Sequence, residues 1–332
     1  MKGAAAIIAV VMMFAILTAL FVAYGPTLNL FGGGDGTLHK TDLQSDIYTM
    51  GHALDAAKLY MDTSLNYAVY QACYDNLKRA GLSEITPETG QSGLAYLPIL
   101  NFAEFYNNMA TTAETYINRY SDESYAFLSE YRVSLPSSTV IVTKEDEEDK
   151  FIVTSLPKSM METYTQAGSG ESVTLRASAD LSKTYEMPCY PIYRKAAETN
   201  DEVLGFLQNT LSSAAEDIGE RITNSETSCN SAGICGDLTN RLGEIIAGAA
   251  GTAPQDDEYL IETEMTDYNV IIDLVDSGKI KQFSISMTQV VRIQEKEPTY
   301  YPVWNGTDIS FESMELVYLT GLTASTEIED SG

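Results

Sequence analysis

From Ala4 to Tyr24 the chain runs for 21 residues without a charged side chain, and no other feature restricts it as strongly. At about 1.5 Å per residue, a helix of this length reaches roughly 30 Å, the thickness of the hydrocarbon core of a bilayer. Ten of its residues, Phe14 and Leu17 among them, are Ile, Val, Leu or Phe. Each favours insertion by about 0.3 to 0.6 kcal/mol near mid-membrane, or about 3 to 6 kcal/mol together. Pro26 and Gly32-Gly33-Gly34 then stop the helix. A cleaved secretory signal is the competing reading, with Ala23-Tyr24-Gly25 as its site. Its apolar region would ordinarily be about 7 to 15 residues, and Pro26 would come directly after the cut. We therefore expect a spanning or assembly helix. Lys2, the charge that precedes it, places the N-terminus in the cytoplasm and the bulk of the chain outside.

Within this run Ala15, Ala19 and Ala23 repeat every fourth residue, as do Ala5 and Ala9. Small side chains on one ridge let two helices approach closely where lipid supplies no hydrophobic drive. The ridge therefore permits self-association, with Phe14 and Leu17 as flanking contacts.

The rest of the chain is expected to be extracytoplasmic. Cys73, Cys189, Cys229 and Cys235 form an even set, as in chains whose disulfides persist outside the cytoplasm. Four cysteines allow three connectivities. The short, flexible insert between Cys229 and Cys235 favours a local bridge, which leaves Cys73 to Cys189. Zinc is the alternative, but there is no C-x-x-C pair and the chain has only two histidines, His39 and His52. Asn305-Gly306-Thr307 is a glycan acceptor sequence consistent with the same orientation. With 47 acidic residues against 20 basic ones, the net charge of −27 repels phosphate backbones and argues against nucleic acid as a partner.

The expected fold class is α+β: the apolar helix, then a region of mixed helix and antiparallel sheet. Residues 1–25 form the helix and 26–41 a Gly-rich joint. Residues 42–250 are helical with an inserted β-hairpin and sheet, and 251–332 are antiparallel β with a loose acidic tail from Thr323. Apolar residues at spacings of three and four, from Ile47 and Met50 to Ala68 and Ala72, predict a helix over 42–78, with Gly81 near its end. Phe105, Met109, Ala113, Tyr116 and Tyr120 predict a second over 102–120, and Leu204 to Ile222 a third over 201–222. A short helix is expected over 238–249.

Strand signals have period two. Val140–Thr143 and Phe151–Ser155 read as a hairpin around the acidic run 145–149. Alternation from Val173 to Leu181 reads as one half-buried strand. Residues 269–275 and 283–293 read as a hairpin about Asp276-Ser277-Gly278. The change of phase between Phe311 and Met314 suggests a bulge.

Groups able to move protons or attack a substrate are sparse. His39 falls in the joint and His52 in the first outer helix, where a surface role is the simpler reading. Gly90-Gln91-Ser92-Gly93 lacks the final glycine of a nucleophile elbow. Ser155-Leu156-Pro157-Lys158 matches S-x-x-K, but no K-T-G comes after it. Glu262 and Glu264 share one strand face, as a glycosidase pair might, yet so acidic a chain makes such pairs by chance. No catalytic residue, metal ligand or cofactor is expected.

Met1-Lys2-Gly3, leading at once into the apolar run, resembles the N-terminus of type IV pilins and their archaeal relatives. The resemblance covers about the first 25 residues. It implies cleavage after Gly3, so that Ala4 becomes the new N-terminus, and assembly of the helices into a filament core with folded domains outward. That family usually carries Glu five residues into the mature helix, where this chain has Ile8. The function expected is a structural cell-surface protein, a pilin-like filament subunit whose partners are other copies and the membrane. The alternative is a membrane-tethered ectodomain that binds a ligand or partner.

Overall fold

The structure, a computed structural model, describes residues 38–82, 84–86, 90–91, 93–97, 102–122, 132–145, 150–166, 172–223, 254–274, 280–304 and 308–327. The apolar run with Gly3, Ala4 and its alanine ridge lies outside these residues, as do Cys229, Cys235, the expected helix over 238–249 and Asn305. Among the described residues no helix is long and apolar enough to cross a membrane.

The fold is α+β, with three helices and several antiparallel sheets among the described residues. Helix α1 (Leu38–Lys78) is its axis. The expected stripe is buried from Met50 onward, but burial then spreads around the helix: Ser64, Gln71 and Asn76 are covered as well as Leu65, Val69 and Leu77. Other elements pack on several sides of α1, which explains its many alanines, since small side chains admit neighbours at close range. Helix α1 starts earlier than periodicity implies, so His39 lies inside it rather than in a joint. Its end is a Schellman turn: the Gly81 N–H donates to the Asn76 carbonyl and the Ala80 N–H to that of Leu77. Both Ala80 (φ 50°) and Gly81 (φ 83°) are left-handed; Gly81 was expected near the helix end, and Ala80 carried no such signal.

Helix α2 (Phe102–Asp122) lies antiparallel to α1. Asn76 on α1 donates to the Phe105 carbonyl near the start of α2, and Tyr60 to that of Tyr120 near its end. Helix α3 (Cys189–Thr223) begins twelve residues before the expected segment. Pro191, a breaker by sequence, sits in its first turn, where a missing N–H costs no intrahelical bond.

Strands β1 (Gly90–Gln91) and β2 (Leu94–Ala95) form a small ribbon. β3 (Ser138–Lys144) and β4 (Lys150–Pro157) make the expected hairpin, and β7 (Leu181–Glu186) joins the other edge of β4. β5 (Met161–Gln166) pairs with β6 (Ser172–Ala177) in a separate sheet. The single strand expected over 173–181 is therefore two strands in two sheets. The break is local: Ser178 Oγ donates to Asp180 Oδ2 at 2.7 Å, and the Asp180 N–H donates back to Ser178 Oγ. This serine–aspartate turn redirects the chain and drops Ala179 into the core.

β8 (Tyr259–Leu274) and β9 (Ile280–Glu295) form a long hairpin, with β12 (Glu315–Glu327) on the other edge of β9. β8 starts ten residues before the alternation that predicts it. Its register shifts between Met265 and Asp267. The bulge expected near 311–314 is instead a change of sheet. β11 (Ile309–Ser313) pairs with β10 (Tyr300–Trp304), Met314 is buried at the crossing, and β12 enters the other sheet. The tail expected to be loose from Thr323 remains paired with β9 through Glu327.

One hydrophobic cluster joins these parts. Ile261, Val291, Leu316 and Tyr318 pack with Leu65, Phe105 and Ile192, so residues on both sides of 251 share a core. Tyr318 is fully buried and donates to the Ala196 carbonyl of α3 at 3.1 Å. The Cys73–Cys189 disulfide, with Cα atoms 5.7 Å apart, links α1 to the first residue of α3.

Candidate functional site

The β10–β11 hairpin lies against α1: Val303 is buried, and the Tyr301 ring centroid lies 5.4 Å from that of Tyr70 on α1. Because side chains alternate along a strand, Tyr300, Pro302 and Trp304 point the other way, and their register partners Ser313, Phe311 and Ile309 share that face. The face is apolar and open to solvent: Tyr300 is 62% exposed, Ile309 63% and Phe311 53%. Scattered apolar residues on a surface need no explanation, but a contiguous group on one face of one hairpin does.

Beside this face, between the hairpin, α1 and the end of α2, is a cleft of about 210 Å³. Tyr60, Tyr67 and Tyr120 line one side, and Pro302, Trp304 and Ile309 the other. No lining residue carries a charge. The Arg119 guanidinium lies 4.1 Å from the Trp304 ring centroid, a cation–π contact at the exposed edge of the cleft.

A polar relay holds the hairpin in place. The Trp304 N–H donates to Gln71 Oε1 at 2.6 Å, Gln71 Nε2 to Asp75 Oδ1 at 2.9 Å, and the Tyr116 hydroxyl to Asp75 Oδ2 at 2.7 Å. The Tyr116 phenol is pushed up to about 12, first by burial and then by its bond to the Asp75 carboxylate. Burial likewise raises Tyr301 to about 12. Both hydroxyls stay protonated at any physiological pH, so Tyr116 serves as a permanent donor. This is the chemistry of a binding and positioning surface.

The residues that sequence patterns offered for catalysis do not converge. Ser155 is fully buried in β4 while Lys158 is exposed just beyond it, so S-x-x-K has its serine in the core and its lysine in solvent. Glu262 and Glu264 are exposed on β8, with Arg292 opposite Glu262. His52 is exposed on α1. Among the described residues no group of three His, Cys, Asp or Glu could hold a metal ion.

Sequence reasoning missed the hairpin face. Trp304 is the only tryptophan in the chain, and Tyr300-Tyr301-Pro302-Val303-Trp304 is aromatic or apolar at every position. A strand with apolar residues on both faces signals either burial on both sides or an exposed apolar surface, and the pairing with β11 decides which. No family model matches this chain, and neither a curated protein nor a solved structure matches it.

Proposed function

We propose that this protein is a structural cell-surface subunit, a pilin-like component of an extracellular filament that assembles through its N-terminal apolar helix. The observation that carries the reading is the start of α1. Residues 44–48 are all exposed, and the Thr165 hydroxyl of β5 donates to the Asp46 carboxylate there at 3.4 Å. From Met50 onward the same helix is built into the core. A folded body whose first helix begins exposed, on the side where the chain leads to an apolar run, suits a filament subunit. The Cys73–Cys189 disulfide supports an extracytoplasmic body, because such bridges persist in oxidising compartments. In this reading the acidic surface keeps assemblies soluble, no catalysis is involved, and Gly3 and Ala4 flank a processing site.

The test is fractionation. Material sheared from cells should contain the protein in high-molecular-weight form, and Ala15→Leu with Ala19→Leu should reduce that fraction while leaving membrane insertion intact. Recovery only as a membrane monomer sinks the reading. The second reading, a tethered ectodomain that binds a partner, is favoured by the exposed hairpin face and cleft; it predicts that same monomer.

A further inference from the structure

Asp62 and Asn66 lie one turn apart on α1 and share a face, beside the core residues Met61 and Leu65. Along β7, Ser182, Thr184 and Glu186 are exposed, and Lys183 and Tyr185 alternate with them on the face turned to α1. The four side chains meet around one amide. Lys183 Nζ lies 2.6 Å from Asp62 Oδ1 and donates to Asn66 Oδ1 at 3.1 Å, and the Tyr185 hydroxyl donates to the same amide oxygen at 2.9 Å. An ammonium can only donate, which sets the Asn66 carbonyl rather than its NH₂ toward Lys183. Asn66 Cγ is one C=O bond of about 1.23 Å from that oxygen, so Nζ lies within about 4.3 Å of the carbon.

An ion pair needs Asp62 alone. Here the lysine also faces an amide carbonyl whose oxygen holds a second donor, and the carboxylate that touches the lysine can carry its protons. The Lys183 and Asp62 side chains are 30% and 33% exposed, so most of their surface is covered by the body. Burial above all keeps the Tyr185 phenol far above its ordinary range, so the donor on Asn66 Oδ1 is always present.

We propose that Lys183 and Asn66 join in an isopeptide bond that the folded chain forms by itself. Lys183 passes a proton to Asp62, and the freed lone pair of Nζ attacks Asn66 Cγ. The C=O electrons move onto Oδ1, where the Tyr185 hydroxyl meets the developing charge. As the carbonyl re-forms, the bond from Cγ to Nδ2 breaks. The leaving nitrogen takes the two protons that Lys183 gives up, relayed by Asp62, and departs as ammonium. One carbon–nitrogen bond is made and one is broken, and Asp62 ends as the carboxylate it began as. The reaction happens once per chain and is not turnover of a substrate. It ties α1 to β7 across a sequence separation of 117, near the Cys73–Cys189 bridge but indifferent to reductant. The two links close nearly the same loop, so the full cost of losing the disulfide is seen when Lys183→Arg removes the other link. The bond serves a filament subunit and a tethered monomer alike, and does not rest on either reading.

The experiment is mass spectrometry of the full-length protein after complete reduction and alkylation, which opens the disulfide and leaves an isopeptide bond intact. The wild-type protein should weigh one ammonia less than its sequence requires. Its tryptic fragment 59–78, which holds Asn66, should remain joined to fragment 177–194, in which Lys183 resists cleavage. Lys183→Arg keeps a cation beside Asp62 but has no primary amine, and should show the full mass with the fragments apart. Asp62→Asn should leave the protein mostly unlinked, because a positioned proton carrier is worth about a hundredfold or more in rate. Circular dichroism and cooperative unfolding confirm that both variants fold. Separate fragments in the reduced wild-type protein, or a link that survives Lys183→Arg, overturn the bond. A linked fraction unchanged in Asp62→Asn overturns its proton path.

Discussion

Asn118 on α2 exchanges two hydrogen bonds with the backbone of Ser138 on β3: its Nδ2 donates to the Ser138 carbonyl at 3.0 Å, and the Ser138 N–H donates to its Oδ1 at 2.7 Å. One turn earlier, Glu114 Oε2 accepts from the Val140 N–H at 3.1 Å. Two side chains on one helical face thus take the place of a missing strand along the open edge of β3. An uncovered edge presents a row of unpaired groups that invites pairing with other chains. Replacing Asn118 with Ala removes both bonds and should destabilise the fold by about 2 kcal/mol, since a backbone donor and acceptor lose their partner. Denaturant unfolding measures it, and a loss below about 0.5 kcal/mol would show that water replaces the amide without cost.

The Cys73–Cys189 bridge closes a loop with a sequence separation of 116, for which loop-closure entropy gives about 5 kcal/mol and native disulfides typically give 2 to 5 kcal/mol. Cys73→Ala with Cys189→Ala should lower stability within that range. Peptide mapping without reductant should recover the Cys73 and Cys189 peptides joined; their recovery as separate thiols contradicts the structure.

Asp256 anchors the start of β8 to α3. Its carboxylate pairs with Lys195 at 2.8 Å and accepts the N–H groups of Glu258 and Tyr259. The bond from Lys195, together with those backbone donors, holds the carboxyl at about 2, below its ordinary value of 3.8. A depressed folded pKa contributes stability above the unfolded value and loses it as pH falls through the folded one. The contribution should therefore be complete above about pH 4 and gone below about pH 2. The pair is close to solvent, so its worth is about 1 kcal/mol. Asp256→Asn should cost that much at pH 7 and nothing near pH 2, and equal costs at both pH values would exclude the ionic contribution.

Trp304, as the single tryptophan, reports on the cleft without interference. Arg119→Ala uncovers its ring and should shift its fluorescence emission, with a stability loss of about 0.5 to 1 kcal/mol for an exposed cation–π contact. Gln71→Ala removes the acceptor of the Trp304 N–H and should loosen the hairpin further, visible as faster quenching by acrylamide. Unchanged emission in both variants would mean that the relay does not position the ring.

The core should respond most strongly at Phe105, which is fully buried and whose ring centroid lies 4.8 Å from that of Tyr193 and 5.8 Å from that of Tyr190. Phe105→Ala should cost about 3 to 5 kcal/mol, the range for a deleted core aromatic. A cost under about 1 kcal/mol in thermal or denaturant unfolding would mean that the site collapses around the change.

Local pattern was enough for the elements that carry their own signal. The stripe from Met50 to Ala72 defines α1, the residues from Phe105 to Tyr120 define α2, and alternation defines the β3–β4 hairpin. Those signals are properties of consecutive residues, so the chain alone determined them. Tertiary structure decided what depends on partners distant in sequence. It divided the alternation of 173–181 between two sheets and made the phase change at Met314 a passage between sheets. It also extended α3 back to Cys189 through a proline that only position renders harmless. The candidate site belongs to this second class. The apolar character of Tyr300, Trp304, Ile309 and Phe311 is written in the chain, but alternation is blind to which face of a strand meets the core. Only the burial of Val303 and the packing of Tyr301 on Tyr70 turned Tyr300, Ile309 and Phe311 toward solvent and set Trp304 at the cleft beneath Arg119.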